Sequence, residues 1–148
     1  MELTEKQQKT LNVVLDCIIP PSPERSLPGA SEVGIWAFIV RLANSEAAGI
    51  AEDIDWLGMQ AAELLGEALE DVDKAQTLRC LARIREANPG RLDQLARLTM
   101  SCYYQHDAVL AGIGMEPRPP FPLGHTVVPG NLTLLEPVKQ RGPIFRRV

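Results

Sequence analysis

The sequence predicts an all-α protein of about five helices in a compact, bundle-like orthogonal domain, carrying a long, extended, proline-rich C-terminal tail. Three observations predict it. Apolar residues recur at helical spacing through most of the first 114 positions. Helix-start and helix-stop signals fall between those stripes. Seven of the 12 prolines then crowd into the last 34 residues. Residues 1–114 read as the helical domain and 115–148 as a docking tail of the same domain.

The first helix starts at Thr4, where Thr4-x-x-Gln7 forms a capping box: the hydroxyl accepts from a free backbone N–H and Gln7 reaches back. Leu11, Val14, Leu15 and Ile18 make its stripe. Pro20-Pro21 ends it, because proline has no N–H to give and the residue before it avoids the helical region. Residues 20–29 hold four prolines and form a stiff loop. The second helix spans roughly Ala30 to Ala43; Val33, Ile35, Trp36, Phe38, Ile39, Val40 and Leu42 leave little polar face, as in a central helix. Trp36 reads as a core anchor.

The third helix runs from about Ala48 to Val72 on Ile50, Ile54, Leu57, Ala61, Leu64, Leu65 and Ala68. Glu52, Asp53, Asp55, Glu63, Glu67, Glu70 and Asp71 form a solvated face. A carboxylate-bridged metal would need inward Glu-x-x-His pairs, which neither His106 nor His125 completes. Asp73-x-x-Gln76 caps a fourth helix carrying Leu78, Leu81 and Ala82, which ends at Asn88-Pro89-Gly90. The same residues start a fifth helix, with Asn88 as cap and Pro89 at the first helical position. Its inner face is Leu92, Leu95, Ala96, Thr99, Cys102 and Tyr103. Tyr103 and Tyr104 lie about 100° apart on a helix, so one faces the core and the other an edge; Tyr103 is expected inside and Tyr104 outside. A short turn follows from Asp107, its expected cap, to Ala111, and Gly112 and Gly114 stop it.

In the tail, Pro117, Pro119, Pro120 and Pro122 impose an extended path. Phe121, Leu123, Val127, Val128, Leu132, Leu134, Leu135, Val138, Ile144 and Phe145 are spread along it. Disordered tails are short of such groups, so this one is expected to lie on a surface. Net charge is −4, against nucleic acid as the main partner. The tail itself is basic, with Arg118, Lys139, Arg141, Arg146 and Arg147 against Glu116 and Glu136.

Neither a phosphate loop, a dinucleotide fingerprint, a nucleophile elbow nor a zinc-helix motif occurs. Catalytic, cofactor-binding and metal-ligating residues are therefore assigned to none of the chain. Cys17, Cys80 and Cys102 lack metal or haem spacings, and Cys17 and Cys80 sit on apolar helical faces. The N-terminus shows no secretory or twin-arginine signal and no run spans a bilayer, so the expected location is cytoplasmic, or periplasmic only through export with a partner or removal of a signal.

Several short motifs in order resemble one family. Leu3-Thr4-x-x-Gln7, Asp16-x-Ile18-Ile19-Pro20-Pro21 and Pro28-Gly29-Ala30-x-x-x-Gly34 resemble the start of the gluconate 2-dehydrogenase subunit 3 family. Leu98-Thr99-Met100-x-x-Tyr103-Tyr104-x-His106 is similar to its tyrosine-pair signature. Pro119-Pro120-Phe121-Pro122-x-Gly124 and Leu134-Leu135-x-Pro137-Val138-x-x-Arg141-x-Pro143-Ile144 are similar to its tail. The resemblance implies a cofactor-free small subunit. Its partner would be a large FAD-binding sugar or polyol dehydrogenase of the glucose–methanol–choline type, in some complexes with a cytochrome c. Many members carry a twin-arginine signal, and this sequence departs there. Under this expectation Tyr104, Phe121, Leu135, Ile144, Phe145 and Arg146 are the partner contacts. Two rivals are a free-standing enzyme using His106 or His125 as base, and an adaptor that binds partners through the proline-rich tail.

Overall fold

A computed structural model describes residues 2–42, 46–119, 121–124 and 127–142, without the side chain of Leu42. Among them every regular element is a helix, with no strand and a single β-bridge between Ser22 and Leu27. It divides into two compact units, Met1–Arg118 and Pro119–Val148.

The first unit holds six α-helices: α1 (Glu5–Ile18), α2 (Ile35–Leu42), α3 (Ala47–Leu65), α4 (Lys74–Ala87), α5 (Pro89–Tyr103) and α6 (Asp107–Gly112). Both capping boxes form. Gln7 N donates to Thr4 Oγ1 and Thr4 N to Gln7 Oε1; Asp73 and Gln76 do the same for α4. α1 is the common wall of the core. Its Leu11, Val14 and Leu15 are buried, and it packs on α3, on α5 and on the 3₁₀ turn Leu69–Asp71. α4 packs on α3 and α5, and α2 on α5. No helix is long and apolar enough to cross a membrane among the described residues.

Two helices differ from the sequence expectation in length. α2 begins at Ile35, five residues late, because Gly34 takes a φ of +64° that breaks the helical path. It is not buried all round: Ile35 and Ile39 face the core, Trp36, Phe38 and Val40 are half-buried, and Ala37 and Arg41 are exposed. α3 stops at Leu65, not Val72. Gly66 caps it in the left-handed region at φ +78°, its N–H donating to Ala62 O at 2.9 Å. Leu69 then drops into the core from the 3₁₀ turn, while Leu64 is left exposed. The apolar spacing runs on through a change of structure, which is why it read as one helix.

The acidic face of α3 is also more than a solvated surface. Asp53 pairs with Arg91 at 2.9 Å, and Arg91 stacks over Trp56, tying α3 to α5. Asp55 accepts from Gln7 Nε2 at 2.8 Å, tying α3 to α1.

The second unit contains a 3₁₀ turn, Leu132–Leu135, running into α7 (Glu136–Gln140). Over these residues the tail is helical, where an extended path was expected. Asn131 Oδ1 accepts from Thr133 N and Oγ1 to start the turn, and Pro137 falls in the first turn of α7, where no N–H is needed.

Replacing Gly66 with Ala places a Cβ in open space but forces a left-handed backbone, so a loss of about 1 kcal/mol is expected. Equilibrium urea unfolding of Gly66→Ala against wild type checks it.

Candidate interaction site at the tyrosine corner

The stiff loop between α1 and α2 is closed at its base. Ala30 N donates to Ile19 O at 3.0 Å, and Ser22 and Leu27 exchange backbone bonds at 2.9 and 3.1 Å. Asp16, in the last turn of α1, receives Ser31 N at 3.1 Å and Ser31 Oγ at 2.8 Å. Gly29 N donates to Glu32 Oε1 at 3.0 Å. A Cβ on Gly29 would lie 2.8 Å from Asp16 Oδ1, so glycine is required where the loop passes the carboxylate. α6 closes the other side: a Cβ on Gly112 would lie 2.6 Å from Leu27 Cδ2.

The tyrosine pair completes this corner. Tyr103 is only 2% exposed, and its hydroxyl donates to Pro28 O at 2.7 Å, across 75 positions of sequence. Burial raises its pKa, helped by Tyr104 and Glu32 nearby. Tyr104 is 54% exposed and meets Tyr103 edge to face, ring centres 5.2 Å apart. The expected orientations of the pair are therefore the observed ones.

Beyond it, His106 rather than Asp107 is the N-cap of α6. Its Nδ1 accepts from Ala108 N at 3.3 Å, and Asp107 supplies the first-turn carboxylate. The His106 ring lies 6.0 Å from that of Phe38, edge on, and the Arg41 guanidinium sits over the Phe38 ring, 4.6 Å from its centre. The sequence gives no sign that Phe38 and Arg41 belong to this corner. Periodicity assigned Phe38 to the core, and an arginine at the end of a helix carries no pattern that marks a stacked cation. Asp16 and Gly29 had a signal, an acid ahead of Pro-Pro and a glycine after Pro28, whose meaning appears only when α5 is in place.

Chemically, the corner gathers an exposed tyrosine, a stacked arginine and a half-buried histidine on a hydrogen-bonded base; tyrosine and arginine are residue types enriched at protein interfaces. Of the partner contacts expected from sequence, Phe121 is 85% and Leu135 48% exposed; both lie in the second unit. Ile144, Phe145 and Arg146 lie outside the described residues, as does His125. No group of three or more His, Cys, Asp or Glu among the described residues is placed to hold a metal ion. Cys80 and Cys102 are buried, Cys17 is half-buried, and burial raises the pKa of all three thiols.

The fold and this corner define a small helical module built around a tyrosine-clamped loop. The family model described as gluconate 2-dehydrogenase subunit 3 matches residues 5–115, and the chain belongs to that family. The matched span includes α1 to α6 and the tyrosine corner; Phe121 and everything after it fall beyond it. Comparison with curated proteins and with solved structures gives no match.

Tyr103→Phe removes the bond to Pro28 and is expected to cost about 1 kcal/mol, up to about 3 if the carbonyl is left without a partner. Amide exchange at Ala30 should rise in that variant more than exchange in α3. A second outcome concerns pH. The folded pKa values of Tyr103 and the three thiols are raised, so the stability each contributes is complete below its ordinary value and is lost as pH rises from there through the raised folded value, the thiols first and the tyrosine at higher pH. The urea midpoint should therefore fall from about pH 8.5 upward; a midpoint equal at pH 7.5 and 10 contradicts it.

Proposed function

We propose that this chain is the non-catalytic small subunit of a flavin-dependent dehydrogenase acting on a sugar, polyol or glycoside. It binds the large FAD-carrying subunit, of the glucose–methanol–choline type, and supports its folding, solubility or maturation. The observation that carries this reading is the family match over residues 5–115, since that family is defined as a dehydrogenase subunit. FAD resides in the partner, a cytochrome c takes electrons in the wider complex, and the compartment is the cytoplasm unless the small subunit leaves with its partner.

Two features of the chain support a binding role. The tyrosine corner presents Tyr104 already packed edge to face on Tyr103, which is itself hydrogen-bonded to the loop, and pre-ordering of this kind lowers the entropy lost on association. The second unit carries Phe121, Leu123, Val127 and Val128 exposed on irregular backbone. An irregular segment with prolines covers much partner surface per residue while losing little chain entropy. Phe121, Leu135, Ile144, Phe145 and Arg146 are its proposed contacts, with Tyr104 from the helical unit.

Co-expression with the large subunit tests the proposal. The full chain should co-purify with the flavoprotein and raise the yield of soluble, FAD-loaded enzyme. A chain ending at Arg118 should keep its far-UV helical signal and lose co-purification. Undiminished affinity of the shortened chain sinks the role of residues 119–148. Equal yield of active flavoprotein with and without the full chain sinks the accessory role.

A further inference from the structure

Charge is divided sharply along the helical unit. Residues 1–73 hold fourteen carboxylates against Lys6, Lys9, Arg25 and Arg41. Residues 74–97, which are α4 and most of α5, reverse the sign: Lys74, Arg79, Arg83, Arg85, Arg91 and Arg97 against Glu86 and Asp93. Some of these cations are used internally. Arg91 pairs with Asp53, and Arg85 with Asp93 at 2.7 Å. Arg79 and Arg83 are not: both are exposed, and neither makes an ion pair or side-chain hydrogen bond with another described residue.

Their spacing makes this unusual. Arg79 and Arg83 stand four apart on α4, one turn above each other, where like charges repel by a few tenths of a kcal/mol. α3 packs on α4 and carries Glu63 in its last turn, but that carboxylate accepts from Gln60 Nε2 at 3.3 Å and makes no ion pair with either arginine. Between the end of α3 and α4 lies a cleft of about 280 Å³ lined by Leu64, Leu65, Gln76, Arg79, Cys80 and Arg83. Leu64 is exposed there although it is a large aliphatic residue, and Cys80 is buried beneath. Arg83 is close enough to oppose, in part, the rise that burial imposes on the Cys80 thiol. The cleft thus joins an apolar floor to two uncompensated guanidinium groups. Such a pair suits carboxylates, which each guanidinium grips through two parallel N–H donors.

We propose that this α3–α4 cleft docks an acidic segment of the partner protein, one that places an aliphatic side chain against Leu64 and Leu65 and carboxylates against Arg79 and Arg83. It is a further docking surface, separate in the sequence from both the tyrosine corner and residues 119–148. The inference rests on the accessory-subunit reading above for the identity of the partner, the large dehydrogenase subunit. Charge complementarity selects the acidic character of the segment, and the exposed leucine selects its apolar side.

The experiment uses the full chain and the large subunit, with Arg79→Glu/Arg83→Glu as the variant. Both side chains are exposed and unpaired among described residues, so thermal unfolding of the variant alone should match wild type. Its dissociation constant for the large subunit should rise at least about tenfold at low salt, with a shallower dependence on salt concentration. Leu64→Ser, which keeps the arginines, should weaken binding while leaving the salt dependence as in wild type. If wild type binds and both variants bind equally well with the same salt dependence, this inference fails and the accessory reading stands. If wild type does not bind the large subunit, the accessory reading fails and this inference with it. Self-association of the full chain that Arg79→Glu/Arg83→Glu abolishes would assign the cleft to a second copy and overturn the proposal. Binding to anionic phosphatidylserine vesicles, but not to the large subunit, would overturn it in favour of a lipid surface.

Discussion

Burial of one stripe of α1 underlies the rest of the helical unit. Leu11, Val14 and Leu15 are almost wholly removed from water, and each such side chain contributes about 1.5–3 kcal/mol of transfer free energy. α3, α5 and the 3₁₀ turn at Leu69 all pack on this helix. The same helix then anchors the loop that follows it. Proline ends α1 at a defined residue, so the carboxylate of Asp16 and the carbonyl of Ile19 stand where the returning chain needs an acceptor. The end of α5 reaches the loop only because its inner face is seated on α1, which delivers the Tyr103 hydroxyl to Pro28. Core packing and the shape of the exposed corner are thus one constraint.

Electrostatics plays a different part. The ion pairs that join helices, Arg91 with Asp53 and Arg85 with Asp93, are partly or largely exposed and contribute modestly to stability. Their greater effect is on what remains. They consume part of the positive charge of α4 and α5 and leave Arg79 and Arg83 facing solvent in a protein with more acids than bases. A net charge of −4 conceals this division between an acidic first half and a basic pair of helices.

The family match ends at Met115, so membership belongs to the helical unit with its tyrosine corner. The described residues from 119 to 142 supply apolar side chains on irregular backbone and short helical turns, and none of those described residues is buried. A helical module with a hydrogen-bonded corner, followed by a segment of exposed apolar side chains, is what the binding role proposed above draws on.

Local chemistry was enough to determine the helix starts at Thr4, Asp73 and Pro89, the stop at Pro20-Pro21, the inner stripes of α1 and α5, and the opposite facing of Tyr103 and Tyr104. Each depends on groups within about one helical turn of one another, which adjacent residues specify. The chain alone did not show that α3 ends at Gly66, or that α2 waits until Ile35. In both cases a glycine in the left-handed region interrupts a stripe whose apolar spacing continues. Asn131 and Pro137 likewise started a turn of helix that the proline count had hidden. Only the tertiary structure decided the long-range matters: that Asp53 and Asp55 bind neighbouring helices, that His106 caps α6 and touches Phe38, that Gly29 must be bare beside Asp16, and that two arginines on α4 flank an exposed leucine on α3. These relations join residues distant in sequence. Periodicity assigns a residue to a face of its own helix, but which other element meets that face is set by how the buried stripes pack together.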